Sequence, residues 1–150
     1  MFAIIRIRGV GMRREIADTL KMLRLKAPNN CIVAQETADY KGMAQKSRDF
    51  ITYGEIEKDM LVAMLQKRLR AGSSRVDEKM LKAVTGYDSF EKFAEALLAN
   101  KVKIKDFERL NSVFRLTPPS KGFKSVRKHY PAGDLGYRGK EINKLLKRMI

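Results

Sequence analysis

Three observations predict an α+β chain: a three-stranded sheet with helices on one face, then a helical segment and a basic C-terminal extension. Short β-branched runs alternate with helix-spaced stretches through the first 54 residues. Apolar residues then recur at helical spacing from Ile56 to Leu98. Finally, the charge is uneven. Residues 1–50 carry a net +5, residues 51–100 are neutral and residues 101–150 carry +10, for a total of +15. A charge serving only solubility has no reason to avoid the middle third, so the two ends are expected to form a surface for a polyanion.

Phe2 to Arg8 is a β-branched run stopped by Gly9 and Gly11 and reads as a strand, with Ile5 and Ile7 on one face and Ile4, Arg6 and Arg8 on the other. Arg13 to Leu25 places Ile16, Leu20, Met22 and Leu23 at helical spacing and keeps Arg13, Arg14, Lys21 and Arg24 mostly off that stripe. Pro28, Asn29 and Asn30 end it, because proline restricts the residue before it and asparagine favours turns. Cys31 to Ala34 is a second strand, Tyr40 to Phe50 a short basic helix with Lys41, Lys46 and Arg48, and Phe50 to Tyr53 a third strand closed by Gly54. Helices packed on one face of such a sheet leave the other face free to meet a partner.

Glu55 to Arg70 is an amphipathic helix ended by Gly72-Ser73-Ser74. Shorter helices follow at 77–84 and 89–98, the second opened by Asp88 and Glu91 at capping-box spacing. Lys101 to Lys105 alternates in the manner of an edge strand or a linker, and Val113 to Leu116 reads as a strand. Lys140 to Met149 is a terminal helix with Ile142, Leu145, Leu146 and Met149 facing inward. The expected division is therefore a core RNA-binding module at 1–55, a helical segment packing on the core at 56–110 and a basic extension with an RNA-binding loop and terminal helix at 111–150.

Between Val113 and Tyr137, Pro118 and Pro119 introduce a loop rich in Lys121, Lys124, Arg127, Lys128 and His129. Gly122, Gly133 and Gly136 argue against a regular helix there. Phe123, Tyr130 and Tyr137 lie among these cations, a mixture suited to an RNA with stackable bases. The helix pair at 77–98 reads first as a helical hairpin packing on the core; the alternative is a DNA-binding regulator, although the end that would enter a groove carries Asp88, Ser89 and Glu91.

Chemistry has little to work with. One histidine and one cysteine, Cys31, allow neither a histidine metal cluster nor an intrachain disulfide. No third glycine follows Gly9 and Gly11 at dinucleotide-binding spacing, and no phosphate-loop motif is present. No enzyme activity, cofactor, metal or small-molecule substrate is expected. No apolar run approaches the roughly 18 residues of a membrane span, so a cytoplasmic protein is expected.

Two blocks carry a family resemblance. The first comprises Arg8-Gly9, TLKMLRL at 19–25, NNCIVAQET at 29–37 and YKGMAQKSRDFITYGE at 40–55. The second comprises FRLTPPSKGF at 114–123, Lys128-His129 and AGDLGYRGKEINKLLKRM at 132–149. Together they resemble the large-subunit ribosomal protein family numbered thirty in the bacterial scheme, in its long archaeal and eukaryotic form. The helices from 56 to 100 match only in general character. The resemblance implies a β-α-β-α-β module with a three-stranded antiparallel sheet, related to ferredoxin-like folds. It implies a structural part in the large subunit, with large-subunit rRNA as partner, the small 5S rRNA close by and ribosomal proteins as neighbours. RNA contacts implied by the matching positions are Arg8, Lys41, Gly42, Met43 and Lys46, then Lys121, Gly122, Lys124, Lys128, His129 and Arg138. Charge placement alone adds Arg13, Arg14, Lys21, Arg24, Arg48 and Arg127.

Overall fold

Burial of all five residues of β1 (Phe2–Arg6) makes this strand the centre of the molecule. The computed structural model describes residues 1–150. Strand β1 is flanked by β2 (Asn30–Ala34) and β3 (Ile51–Glu55), antiparallel to both, with Ile4 opposite Ile32 on one side and Tyr53 on the other. This is the predicted three-stranded antiparallel core sheet. The C-terminal extension widens it to five strands. β6 (Val113–Arg115) pairs antiparallel with β2, and β7 (Gly136–Tyr137) pairs parallel with β3.

Alternation along β1 sends successive side chains to opposite faces. Phe2 and Ile4 join a cluster with Leu20, Leu23, Ala44 and Ile51 beneath α1 (Arg14–Met22) and α2 (Ala38–Lys46). Ala3 and Ile5 join a second, larger cluster of 22 buried residues. That cluster is supplied by α3 (Lys58–Arg68), α5 (Phe90–Leu98) and α6 (Ile142–Met149), among others. The face expected to stay open for a partner is therefore covered. The reason is visible in the alternation itself: a strand apolar on both faces needs both covered.

Several boundaries move for physical reasons. Helix α1 ends at Met22, which is 65% exposed rather than on the buried stripe. Arg24 there takes a positive φ of 59°, and the chain turns toward β2. The Gly72 turn does more than end α3: it closes a small hairpin of β4 (Arg70–Ala71) and β5 (Ser74–Arg75). Between α4 (Glu78–Thr85) and α5 the cap is Ser89, whose hydroxyl accepts from Lys92 N, while Asp88 pairs with Lys82 at 2.8 Å. The stretch around Lys103 forms a 3-10 turn over Ile104–Asp106, not a strand. Helix α5 buries Phe90, Phe93, Ala94, Ala96 and Leu97 in the core and leaves Glu91, Lys92 and Glu95 exposed. The terminal helix matches its sequence pattern: Ile142, Leu145, Leu146 and Met149 are all buried.

Strand β3 passes straight through Gly54 instead of ending there. A methyl group at that position would overlap the Gly139 carbonyl oxygen, so glycine permits the extension to cross β3 closely. Gly54→Ala is expected to lower the urea midpoint by the equivalent of about 1–3 kcal/mol, the usual cost of overpacking. The denaturant slope should stay unchanged, since the surface exposed on unfolding is the same.

Candidate nucleic-acid interface

At the end of the sheet marked by Arg6 and Ile51, three connecting segments meet. The first follows β1. Ile7 N and Arg8 N both donate to Phe50 O, which anchors the chain before it arches over Gly9, Val10 and Gly11. Val10 at the tip is 83% exposed. The arch is held from below by Arg6, which the sequence pattern placed on one face with Ile4 and Arg8 and the structure buries. Its guanidinium donates to Leu25 O (2.8 Å), Lys26 O (2.7 Å), Arg8 O (2.9 Å) and Gly9 O (3.0 Å). Desolvation lowers its pKa from the usual arginine value, and the four carbonyls take the place of a carboxylate partner.

The second segment leaves α2. Ser47 Oγ donates to Met43 O at 2.7 Å and Phe50 N donates to Ser47 O, closing a tight exit that leaves Lys46 and Arg48 exposed. The Arg8 guanidinium lies 5.0 Å from the centre of the Phe50 ring, a cation–π contact that fixes its direction.

The third segment is the loop of the C-terminal extension, and buried polar contacts hold it. Arg138 Nη2 meets Asp134 Oδ1 at 2.7 Å, and both side chains are about nine-tenths buried. Arg138 Nε donates to Thr52 Oγ1 at 2.9 Å, and Thr52 Oγ1 donates to Gly136 O at 3.0 Å, so the pair is fastened to β3. The other Asp134 oxygen accepts from the backbone N–H groups of Lys124 and Ser125. Near its start the loop is gripped by Arg148 of α6, which donates to Ser120 O through Nε at 2.9 Å and also to Gly122 O. Lys121 and Gly122 take positive φ values of 68° and 69° there, so the lysine stands on a sharp turn. Arg6, Thr52, Asp134 and Arg148, which create this scaffold, carry no sequence motif that announces it; Thr52 and Arg148 meet partners far away in the chain, while Asp134 gathers Lys124, Ser125 and Arg138 from within its own loop.

The three segments close around one hollow lined by Arg8, Arg13, Asp49, Phe50 and Arg127, among others. Arg8 and Arg13 come from the N-terminal module and Arg127 from the extension. His129 Nε2 bridges the same gap to Asp49 Oδ1 at 2.9 Å. Lys21 borders an adjoining hollow that shares Gly11. Exposed Arg14 opens α1 one residue beyond Arg13, and exposed Lys128 sits between Arg127 and His129.

Other expected contacts lie elsewhere. Lys41 pairs with Glu36 at 2.6 Å and sits 5.7 Å from the Phe2 ring, at the opposite end of the strands. Gly42 is exposed beside it, and Met43 is partly buried against the helix-covered cluster. Arg24 donates to Ser112 Oγ at 3.1 Å near β6. Lys121 and Lys124 flank the turn held by Arg148, and Lys124 Nζ donates to Pro131 O at 3.2 Å. Arg138 requires a correction. At 8% exposure it cannot reach a phosphate, and its guanidinium is already committed to Asp134 and Thr52. It positions the loop instead. Cys31 is fully buried, and burial pushes its thiol up to about 12, so it stays neutral and unreactive at pH 7.

A family model described as ribosomal protein L30p/L7e matches residues 2–51. The large ribosomal subunit protein uL30 of Archaeoglobus fulgidus is 45% identical over 151 residues, covering 99% of each chain. The chain belongs to the L30p/L7e family of ribosomal proteins. The uL30 proteins of a Methanococcus maripaludis strain (46% identical, 99% of each chain) and of Thermoplasma volcanium (43%, 100% of this chain and 93% of the relative) agree. These L30p/L7e relatives are ribosomal proteins and not enzymes, and they span the helical segment and the extension as well as the module matched by the family model.

Arg138→Ala strands the Asp134 carboxylate in a buried site and is expected to cost about 3–5 kcal/mol, the range for breaking one half of a buried ion pair. Chemical denaturation measures the loss. Faster hydrogen exchange at the Lys124 and Ser125 amides should accompany it, because their acceptor loses its anchor.

Proposed function

We propose that this ribosomal protein is a structural constituent of the large subunit in the cytoplasm, binding folded large-subunit rRNA through the cationic end of its sheet. One observation carries the reading: Arg8 and Arg13 share a hollow with Arg127, although over a hundred positions separate them in the chain. A net charge of +15 opposes compaction through self-repulsion, and gathering its cations on one surface makes sense when a polyanion neutralises them. The mechanism is positional. Arginine and lysine displace counterions from phosphates, the fixed turns set register, and Val10 at the arch tip offers an apolar contact to a sugar or base.

Lys41 and Gly42 lie outside this end and belong to a separate contact, if RNA wraps toward the Phe2 end. The DNA-regulator alternative gains nothing from the fold, since the open face of α5 carries Glu91 and Glu95 beside Lys92, carboxylates that repel phosphate. No helix is long and apolar enough to cross a membrane.

Binding to large-subunit rRNA should weaken steeply with salt, and a log–log slope near zero for the unmodified protein would reject the reading. Replacing Arg13, Arg127 and Lys128 together by Ala should flatten that slope by roughly one for each phosphate no longer neutralised. Thermal unfolding should barely move, because all three side chains are exposed. Reduced co-sedimentation of the triple variant with large subunits at moderate salt is the corresponding result in the particle.

A further inference from the structure

Beside the cationic hollow lies a second, aromatic cleft of about 260 Å³, walled by Tyr53, Tyr130, Tyr137 and His129 with Gln45 and Arg48 at its rim. Tyr130 and Tyr137 are 40% and 52% exposed and belong to neither hydrophobic cluster, so core packing does not explain them. Each wall is nonetheless fixed. The Arg138 guanidinium lies 5.3 Å from the Tyr130 ring centre. The Tyr137 hydroxyl donates to Glu55, and its ring centre is 5.4 Å from that of Tyr53. Tyr53 in turn packs edge-on against Phe2. His129 is tied to Asp49 and lies over Gly136, where a methyl group would stand 3.1 Å from its ring.

Aromatic rings that are fixed from behind yet still partly exposed suit a flat ligand, because stacking then requires little further ordering. The rim adds direction. The Gln45 amide makes no hydrogen bond within the protein, and Arg48 has only a 3.9 Å contact to Asp49. An amide can read a base edge, and an arginine can take the adjoining phosphate. Leu135 lines both hollows, so a base in the cleft would continue directly into a backbone held by Arg8, Arg13 and Arg127.

We propose that the cleft takes one unpaired nucleobase of the bound RNA, stacked on the tyrosines with its edge toward Gln45. This rests on the RNA-binding reading above and narrows it: a bulged or looped nucleotide is selected over a continuous helix, since an unpaired base is the least costly to extrude.

The test compares two RNA hairpins of identical stem sequence, one flush and one carrying a single bulged 2-aminopurine. The bulged hairpin should bind at least about fivefold more tightly at equal salt, the lower bound for one stacked base, with quenched 2-aminopurine fluorescence. Tyr130→Ala combined with Tyr137→Ala should abolish both the preference and the quenching while leaving the salt slope unchanged. Tyr137→Phe, which keeps the ring, should retain them, while the unchanged salt slope of the alanine variant shows that it is still folded and still binds phosphate. Equal affinity for the two hairpins, or a preference that survives in the alanine variant, overturns the proposal while leaving general RNA binding intact. Full displacement of the bulged RNA by micromolar adenosine monophosphate also overturns it, by showing a site for a free nucleotide. Failure of both hairpins to bind refutes the broader RNA reading, and this inference with it.

Discussion

Arg138 and Asp134 form the one ion pair of the protein in which both side chains are buried, and the candidate interface depends on it. The loop between Pro119 and Gly136 is short of apolar residues and crowded with cations, so hydrophobic burial cannot hold it. Instead, a single carboxylate gathers two backbone amides and a guanidinium, and Thr52 connects the cluster to β3. Removing charges from water is costly, and such a pair holds only because its remaining donors and acceptors are satisfied. Here Arg138 Nε and Nη2 and both Asp134 oxygens are hydrogen-bonded, so the extension is locked to the module by polar contacts of fixed geometry.

Arg6 follows the same logic on the other side of the interface. A buried guanidinium with carbonyl partners clamps two turns without consuming a surface anion. Both arginines thus spend their charge internally and set the direction of other cations. The exposed Arg13 and Arg127 line one hollow and neither they nor their chain neighbours Arg14 and Lys128 make an ion pair, which is an unfavourable arrangement for a free protein and a favourable one beside phosphate. Fixed aromatic rings border this zone, so the same scaffold presents charge and stacking surface together.

The split of the sheet into two hydrophobic faces explains why the interface sits at its end. With α1 and α2 on one side and α3, α5 and α6 on the other, no face of the sheet is left for a ligand. What stays open is the rim where turns emerge. Turns there expose polar backbone and long basic side chains, while the core fixes where each turn starts and stops.

How much of this was legible in the sequence depends on the range of the interaction concerned. Periodicity and breakers identified the three central strands, the amphipathic helices and the inward stripe of α6, because these patterns reflect contacts made by neighbouring residues along one element. The charge distribution pointed to both ends of the chain as basic zones. Burial of Arg138 and Arg6 was not legible, since an arginine looks the same in sequence whether phosphate or a carbonyl cage awaits it. Nor was β7, which rests on pairings between residues more than eighty positions apart, nor that the helical segment and α6 would cover the second face of the sheet, which brings Ile5 together with α3, α5 and α6. Local pattern by itself determined the elements and the sign of the surface. Only tertiary structure decided which cations stand together and which are spent inside, because side-chain burial is settled by segments that meet only after the chain has folded.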